Sequence, residues 1–184
     1  MILSLDMSTT CIGWAVFDDD NLIDYGKLKP TIEDLDWRER IQNFVPQLHN
    51  LMKKYMPTKV YAENVPLVHN KAVLTLVQLG AIQGMLIGLC YSHKVEVEFI
   101  QVATWRSNLG LLDEKKHRDE LKVKSLELAN KLFGLNLACV FTKSGNYNGI
   151  KSDDDISDAI LVYASTRDKY KIKRFGRISP KERR

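Results

Sequence analysis

The order of hydrophobic patterns along the chain predicts an α/β domain: a mixed five-stranded sheet with helices on both faces. Three observations carry this. Three short apolar runs crowd residues 2–29 with only turns between them, which reads as an antiparallel meander. Two later apolar runs, 60–65 and 95–102, are each preceded by a long stretch of helical period. A helix between two such strands implies a parallel crossover, so both pairing senses occur and helices must cover the sheet. At 184 residues, 45% hydrophobic and 27% charged, the chain suits one globular domain with a sizeable core.

The run 2–5 ends on Asp6. Residues 7–10 form a small, hydroxyl-rich turn, and 13–17 is the second strand. An apolar strand that closes on a carboxylate needs a turn, a cation or a metal to offset the charge. Residues 21–29 form the third strand. Thr31, with Asp34 three residues on, is expected to cap a helix running to Tyr55 on Leu35, Ile41, Phe44, Leu48, Leu51 and Met52. Pro46 is expected to kink or split it. In the strand 60–65, Tyr61 and Glu63 face one way, so a second strand carries an acid near its C-terminal end.

Residues 72–91 bear no formal charge and are long enough to span a bilayer. Their polar Thr75, Gln78 and Gln83, and their place between two strands, mark a crossover helix instead, and no membrane association is expected. Gly80, Gly84 and Gly88 share one face, suited either to close packing on the sheet or to a helix pair across a dimer interface. In the strand 95–102, Glu96 and Glu98 form a solvated face. Residues 103–109 make a short helix or turn, and 115–133 a helix closed by Gly134. Residues 135–151 read as a loop. Ser152 is expected to cap a last helix reaching about Asp168.

Charge divides the chain. From residue 169 onward there are eight Lys or Arg and one Glu, a net of +7. The whole chain is +4, so residues 1–168 carry −3. A globular domain over 1–168 with a basic tail over 169–184 suggests a polyanionic partner, although basic tails also serve solubility. No basic-plus-apolar leader is present, and Cys11, Cys90 and Cys139 lack metal-ligand spacing. A cytoplasmic setting is therefore expected. His49, His69, His93 and His117 show no zinc pattern and are expected at the surface, with His69 a candidate substrate contact.

The last helix opens SDDDISDAILVYAS. Asp153, Asp154 and Asp155 complement its dipole, but Asp158 lies beyond the first turn. Asp155 and Asp158 share a face at i,i+3, and Asp154 and Asp158 at i,i+4; helix geometry does not choose between the pairs. Asp6, Glu63 and this pair, with no His/Cys set, make a hard-cation site for Mg²⁺ or Mn²⁺, one or two ions, of the kind that serves phosphate chemistry.

LSLDMSTTCIGWAVFD at the start, VYAEN in the middle and DISDAILVYA near the end occur in order over nearly the whole chain. In these stretches the sequence resembles RuvC-type Holliday junction resolvases of the ribonuclease H-like fold, phage versions above all. The resemblance implies that Asp6, Glu63, Asp155 and Asp158 are catalytic metal ligands, the family's Asp-x-x-Asp pattern selecting Asp155 over Asp154, with Asp153 an auxiliary. It also implies a homodimer that resolves four-way or other branched DNA, forks included, by paired nicks leaving 5′-phosphates. Arg106 and Lys124 are candidate phosphate contacts, each also explicable as ordinary surface charge. In the tail, Lys171, Lys173, Arg174 and Arg177 are candidate DNA contacts. The family's aromatic after the strand-four glutamate is absent from Asn64-Val65-Pro66-Leu67. Two competing readings are a branched-DNA-binding protein with little or no cleavage, and a fragment of an actin-like phosphotransferase, which DMSTT also resembles. Against the first stand the clustered carboxylates, costly without a cation. Against the second stand the short chain and the missing second phosphate loop.

Overall fold

The computed structural model describes residues 1–32, 35–64, 73–112 and 117–172. Among these, β1 (Ile2–Met7), β2 (Ile12–Asp18), β3 (Asn21–Leu28), β4 (Lys59–Glu63) and β5 (Glu96–Ile100) form one sheet in the order β3-β2-β1-β4-β5. β1, β2 and β3 pair antiparallel. β4 runs parallel to β1, and β5 parallel to β4. The helices are α1 (Trp37–Tyr55), α2 (Val73–His93), α3 (Val102–Asn108), α4 (Arg118–Phe133) and α5 (Asp154–Ala164). The mixed sheet with helices on both faces is as the sequence predicts.

Side-chain alternation splits the core into two layers. Leu3, Leu5 and Met7 of β1, with Val60 and Ala62 of β4, pack against α1 and α2 through Phe44, Leu48, Ile82 and Leu86. On the opposite face, Ala15 and Phe17 of β2 meet Trp105, Leu126, Ala129, Ile156 and Ile160 from α3, α4 and α5. α5 lies directly on the sheet beneath α4, and every residue from Ile156 to Ala164 is buried. The helix is therefore apolar nearly all round, and its acids gather at its N-terminal end.

Several boundaries differ from expectation. α1 begins at Trp37, capped by Asp36. Asp36 Oδ1 accepts from the N–H groups of Arg38 (2.6 Å) and Glu39 (3.0 Å), and Glu39 Oε2 accepts from Asp36 N–H (2.8 Å). This reciprocal box satisfies two orphan donors at once. Thr31 instead hydrogen-bonds Asn43 Oδ1 (3.0 Å), and Asp34 lies outside the described residues. α1 is not split at Pro46, because its buried positions continue on both sides of the proline, from Ile41 and Phe44 to Leu48, Leu51 and Met52. At α5 the cap position is Asp153, not Ser152. Ser152 Oγ accepts from Val140 N–H (2.8 Å) and donates to the Asn148 carbonyl (2.8 Å), tying the preceding loop to the helix start. α5 ends at Ala164, and the chain continues in turns. Tyr170 packs on Phe133 (5.4 Å) and Ile172 N–H donates to the Asn108 carbonyl (2.9 Å), so residues 169–172 dock on the body of the domain.

α2 departs from one of its two readings. Its glycines do not pack on the sheet: a Cβ at Gly80, Gly84 or Gly88 would meet nothing within 4 Å. Ile82, Leu86 and Cys90 form the inward seam, and the glycines lie on the opposite face with exposed Val73, Val77, Ile87 and Tyr91. Among the described residues α2 is the one helix long and apolar enough to cross a membrane. Its position is that of the crossover between the paired parallel strands β4 and β5. His49 and His93 are not separate surface groups: His49 Nδ1 lies 2.8 Å from His93 Nε2 across the α1–α2 contact. His69 lies outside the described residues, as do Lys173, Arg174 and Arg177.

Candidate active site

β1 and β4 place the first two acids. Leu5 pairs with Ala62 in parallel register, so the next residues, Asp6 and Glu63, stand side by side at the C-terminal strand ends on the face covered by α5. The third element arrives through a glycine. Gly13 is the antiparallel partner of Asp6, and a Cβ there would lie 1.9 Å from the carbonyl oxygen of Asp155. Only a residue without a side chain lets the α5 N-terminus come this close to β1 and β2. The result is a cleft of about 520 Å³ lined by Asp6, Glu63, Asp154, Asp155 and Asp158, with Arg106, Arg118 and Lys122 among its other walls.

The cleft concentrates negative charge where water is scarce. Asp158 is 7% exposed and Asp154 3%. Burial, then the neighbouring Glu63, Asp158, Asp155 and Asp154, raise the Asp6 carboxyl well above its ordinary range. Burial and then Glu63 raise Asp158 to about 7, although Arg106 opposes them. Asp158 Oδ2 lies 3.7 Å from Arg106. Asp154 pairs with Lys122 Nζ through Oδ2. Asp155 sits 3.8 Å from Lys27 Nζ, which also donates to the Ser152 carbonyl at 2.7 Å. Burial, helped by Asp155, pushes the Cys11 thiol up to about 12, so Cys11 is an inert neighbour of the acids.

These residues fit a hard divalent cation. The donors are carboxylates from three elements. Asp154 Oδ1 and Asp158 Oδ1 are buried without a hydrogen-bond partner, and the raised acids signal an excess of negative charge that a cation relieves. Among the described residues no three such groups stand at the spacing of a finished ligand shell; the acids share the cleft rather than one point.

Asp6, Glu63, Asp155 and Asp158 are thus brought together, and Asp154 joins them. Asp153 does not: its Oδ2 accepts from Ala138 N–H (2.8 Å) and its Oδ1 faces Lys27 (3.4 Å). Arg106 lies in the cleft wall with a side chain only 16% exposed, so it is no ordinary surface charge. Lys124 is not among the lining residues, whereas Lys122 is. Lys122 falls four and seven residues before the buried Leu126 and Ala129, and a lysine continuing an apolar stripe was the available signal. Lys171 pairs with Asp168 (2.8 Å) and does not line the cleft. Sequence reasoning gave no active-site role to Trp105 or Gln83. Trp105 Nε1–H donates to Glu63 Oε2, and Gln83 Nε2 reaches Asn64 Oδ1 at 3.1 Å.

No family model matches the sequence, and no curated protein matches it. The fold does find relatives among solved structures. Thermus thermophilus RuvC, solved in complex with Holliday junction substrate, is similar with a TM-score of 0.60 at 14% identity, over 91% of this chain and 96% of that one. The yeast mitochondrial Holliday junction resolvase Ydc2 is similar at 0.54 and 15% identity, over 89% and 76%. Fowlpox virus resolvase, solved with substrate Holliday junction DNA, is similar at 0.53 and 15% identity, over 91% and 100%. The mixed five-stranded sheet with helices on both faces is thus the RuvC-like, ribonuclease H-type fold of these resolvases.

Proposed function

We propose that the chain is a divalent-metal-dependent endonuclease that resolves four-way junctions or other branched DNA by paired nicks leaving 5′-phosphates. The observation that supports this best is the meeting of five carboxylates from β1, β4 and α5 in one cleft with a cationic wall, on a resolvase-like fold. Asp6, Glu63, Asp155 and Asp158 would hold Mg²⁺ or Mn²⁺, with Asp154 beside them. A bound ion would supply Lewis acidity at the scissile phosphate and a nucleophilic water at neutral pH. The chain's own cations do the rest. Arg106 and Arg118 orient the phosphate by charge-assisted hydrogen bonds. Lys122 holds Asp154 and stands ready to meet a phosphate oxygen. The basic residues beyond 172 add sequence-independent backbone affinity.

Two cuts across one junction need two sites, and the α2 face supports a homodimer. Gly80, Gly84 and Gly88 line an uncharged, exposed ridge on which a second α2 could approach closely.

The test is incubation of the protein with labelled four-way, forked and linear duplex DNA, with and without Mg²⁺, beside the Asp6→Asn variant. Mg²⁺-dependent paired nicks on the junction, lost in Asp6→Asn while junction binding remains, are expected. Junction binding without cleavage under any divalent ion would leave a structure-specific binder instead.

A further inference from the structure

Trp105 is fully buried, yet it carries a polar atom that must find a partner. Its Nε1–H donates to Glu63 Oε2 at 2.9 Å. The contact spans 42 residues, from α3 to the end of β4, and other bonds brace the same corner. Asn64 N–H donates to the Ile100 carbonyl at 2.8 Å, joining β4 to the residue just before α3's N-terminal segment. Trp105 N–H donates to the Gln101 carbonyl at 3.0 Å, which fixes the backbone that carries the indole. Trp105 also packs among Leu109, Leu126 and Ile160, so the ring has little freedom to turn.

Resting on the nuclease reading above, we propose that Trp105 is a positioning residue: its indole N–H sets the orientation of the Glu63 carboxylate and thereby its ability to bind the divalent ion. The chemistry of the donor is the reason. Indole donates one hydrogen bond, accepts none and carries no charge. It therefore orients Glu63 without adding a positive charge of its own. The next residue shows the contrast. Arg106 brings a full positive charge to Asp158. One short helix thus serves both acids by different means, one through a neutral dipole and the other through charge. Outer hydrogen bonds of this kind hold metal-binding carboxylates in place, and losing one typically costs ten- to a hundredfold in metal affinity.

Mn²⁺ binding to the DNA-free, full-length protein, followed by the electron paramagnetic resonance of free Mn²⁺, tests this in four proteins: wild type, Trp105→Phe, Glu63→Gln and the double variant. Trp105→Phe should weaken Mn²⁺ binding roughly tenfold. In the Glu63→Gln background the same substitution should have little further effect, because the group it acts through is already neutral. An equal loss in both backgrounds would mean that Trp105 only fills space, and no loss in either would remove it from the site. A second measurement avoids the cavity that Phe leaves. In protein labelled with ¹⁵N-tryptophan, the indole resonance that survives in both Trp14→Phe and Trp37→Phe belongs to Trp105. It should shift on Mg²⁺ addition with the midpoint of metal binding, and a resonance that stays still while the ion binds would overturn the proposal. If the wild type binds neither ion, the metal-site reading itself fails, a result distinct from a wild type that binds and a Trp105→Phe variant that binds equally well.

Discussion

Replacing Asp158 by asparagine should make the metal-free protein more stable, by a margin that grows as the pH rises from 4 to about 7. An ordinary aspartate titrates near 3.8, whereas Asp158 in the fold titrates near 7. Between those values the folded chain keeps a proton that the unfolded chain has lost. Stability therefore falls as pH rises through this window and is flat above it, the usual sign for a carboxyl whose folded pKa is raised. At about 1.4 kcal/mol per pH unit the full penalty above pH 7 is about 4 kcal/mol. Relaxation of the neighbours and entry of water reduce the expected gain to about 2 kcal/mol. Asparagine has the shape of the protonated acid and no titration, so the gain should be near zero at pH 4 and complete by pH 8. For a domain of this size that is about 4–8 °C in Tm. The assay is thermal unfolding in a chelating buffer across pH 4–8 for both proteins. Mg²⁺ at pH 8 should raise the wild-type Tm more than that of the variant. A gain independent of pH, or a loss of stability at pH 8, would refute the idea that Asp158 is held in the fold against its own charge.

Other perturbations probe the supports of the cleft. Gly13→Ala puts a methyl group 1.9 Å from the Asp155 carbonyl oxygen and should push the α5 start away from β1. A loss of about 1–3 kcal/mol in stability is expected from overpacking, with a fall in cleavage of about a hundredfold if the acids move by 1 Å; circular dichroism melts and single-turnover cleavage measure the two. Gly84→Glu adds side-chain atoms where the monomer has open space and removes a helix-weakening glycine. It should keep or raise Tm while shifting the protein from dimer to monomer in sedimentation velocity, and an unchanged dimer would exclude the α2 ridge as the interface. Deleting residues 173–184 removes six Lys or Arg and one Glu. The slope of log K against log salt for junction binding should flatten by roughly 0.9 for each cation that touched a phosphate, and an unaltered slope would mean that the tail makes no contact.

The mixed sheet, the two strand-end acids and the acidic opening of the last helix follow from local patterns. Period-two alternation sets Asp6 opposite Leu5 within β1 and Glu63 opposite Ala62 within β4, whereas the parallel register of the two strands, which only the fold supplies, puts both acids on one face. An apolar run such as IGWAVF needs no partner to be read as a strand. What lay beyond the sequence was which groups meet when elements far apart in the chain pack. Asp154 and Asp155 both line the cleft because Gly13 admits the α5 backbone, a contact across 142 positions that no helical period encodes. Lys122 replaced Lys124 as the cleft residue because α4 turns one particular side toward α5. The glycines of α2 face outward because Ile82, Leu86 and Cys90 compete better for the core. Asp36 took the cap from Thr31 because Glu39 completes a reciprocal pair of bonds. Trp105 reads in sequence only as a core aromatic. Local composition determines what each segment can bury, and only the packed fold decides which polar atom each buried group is left to face.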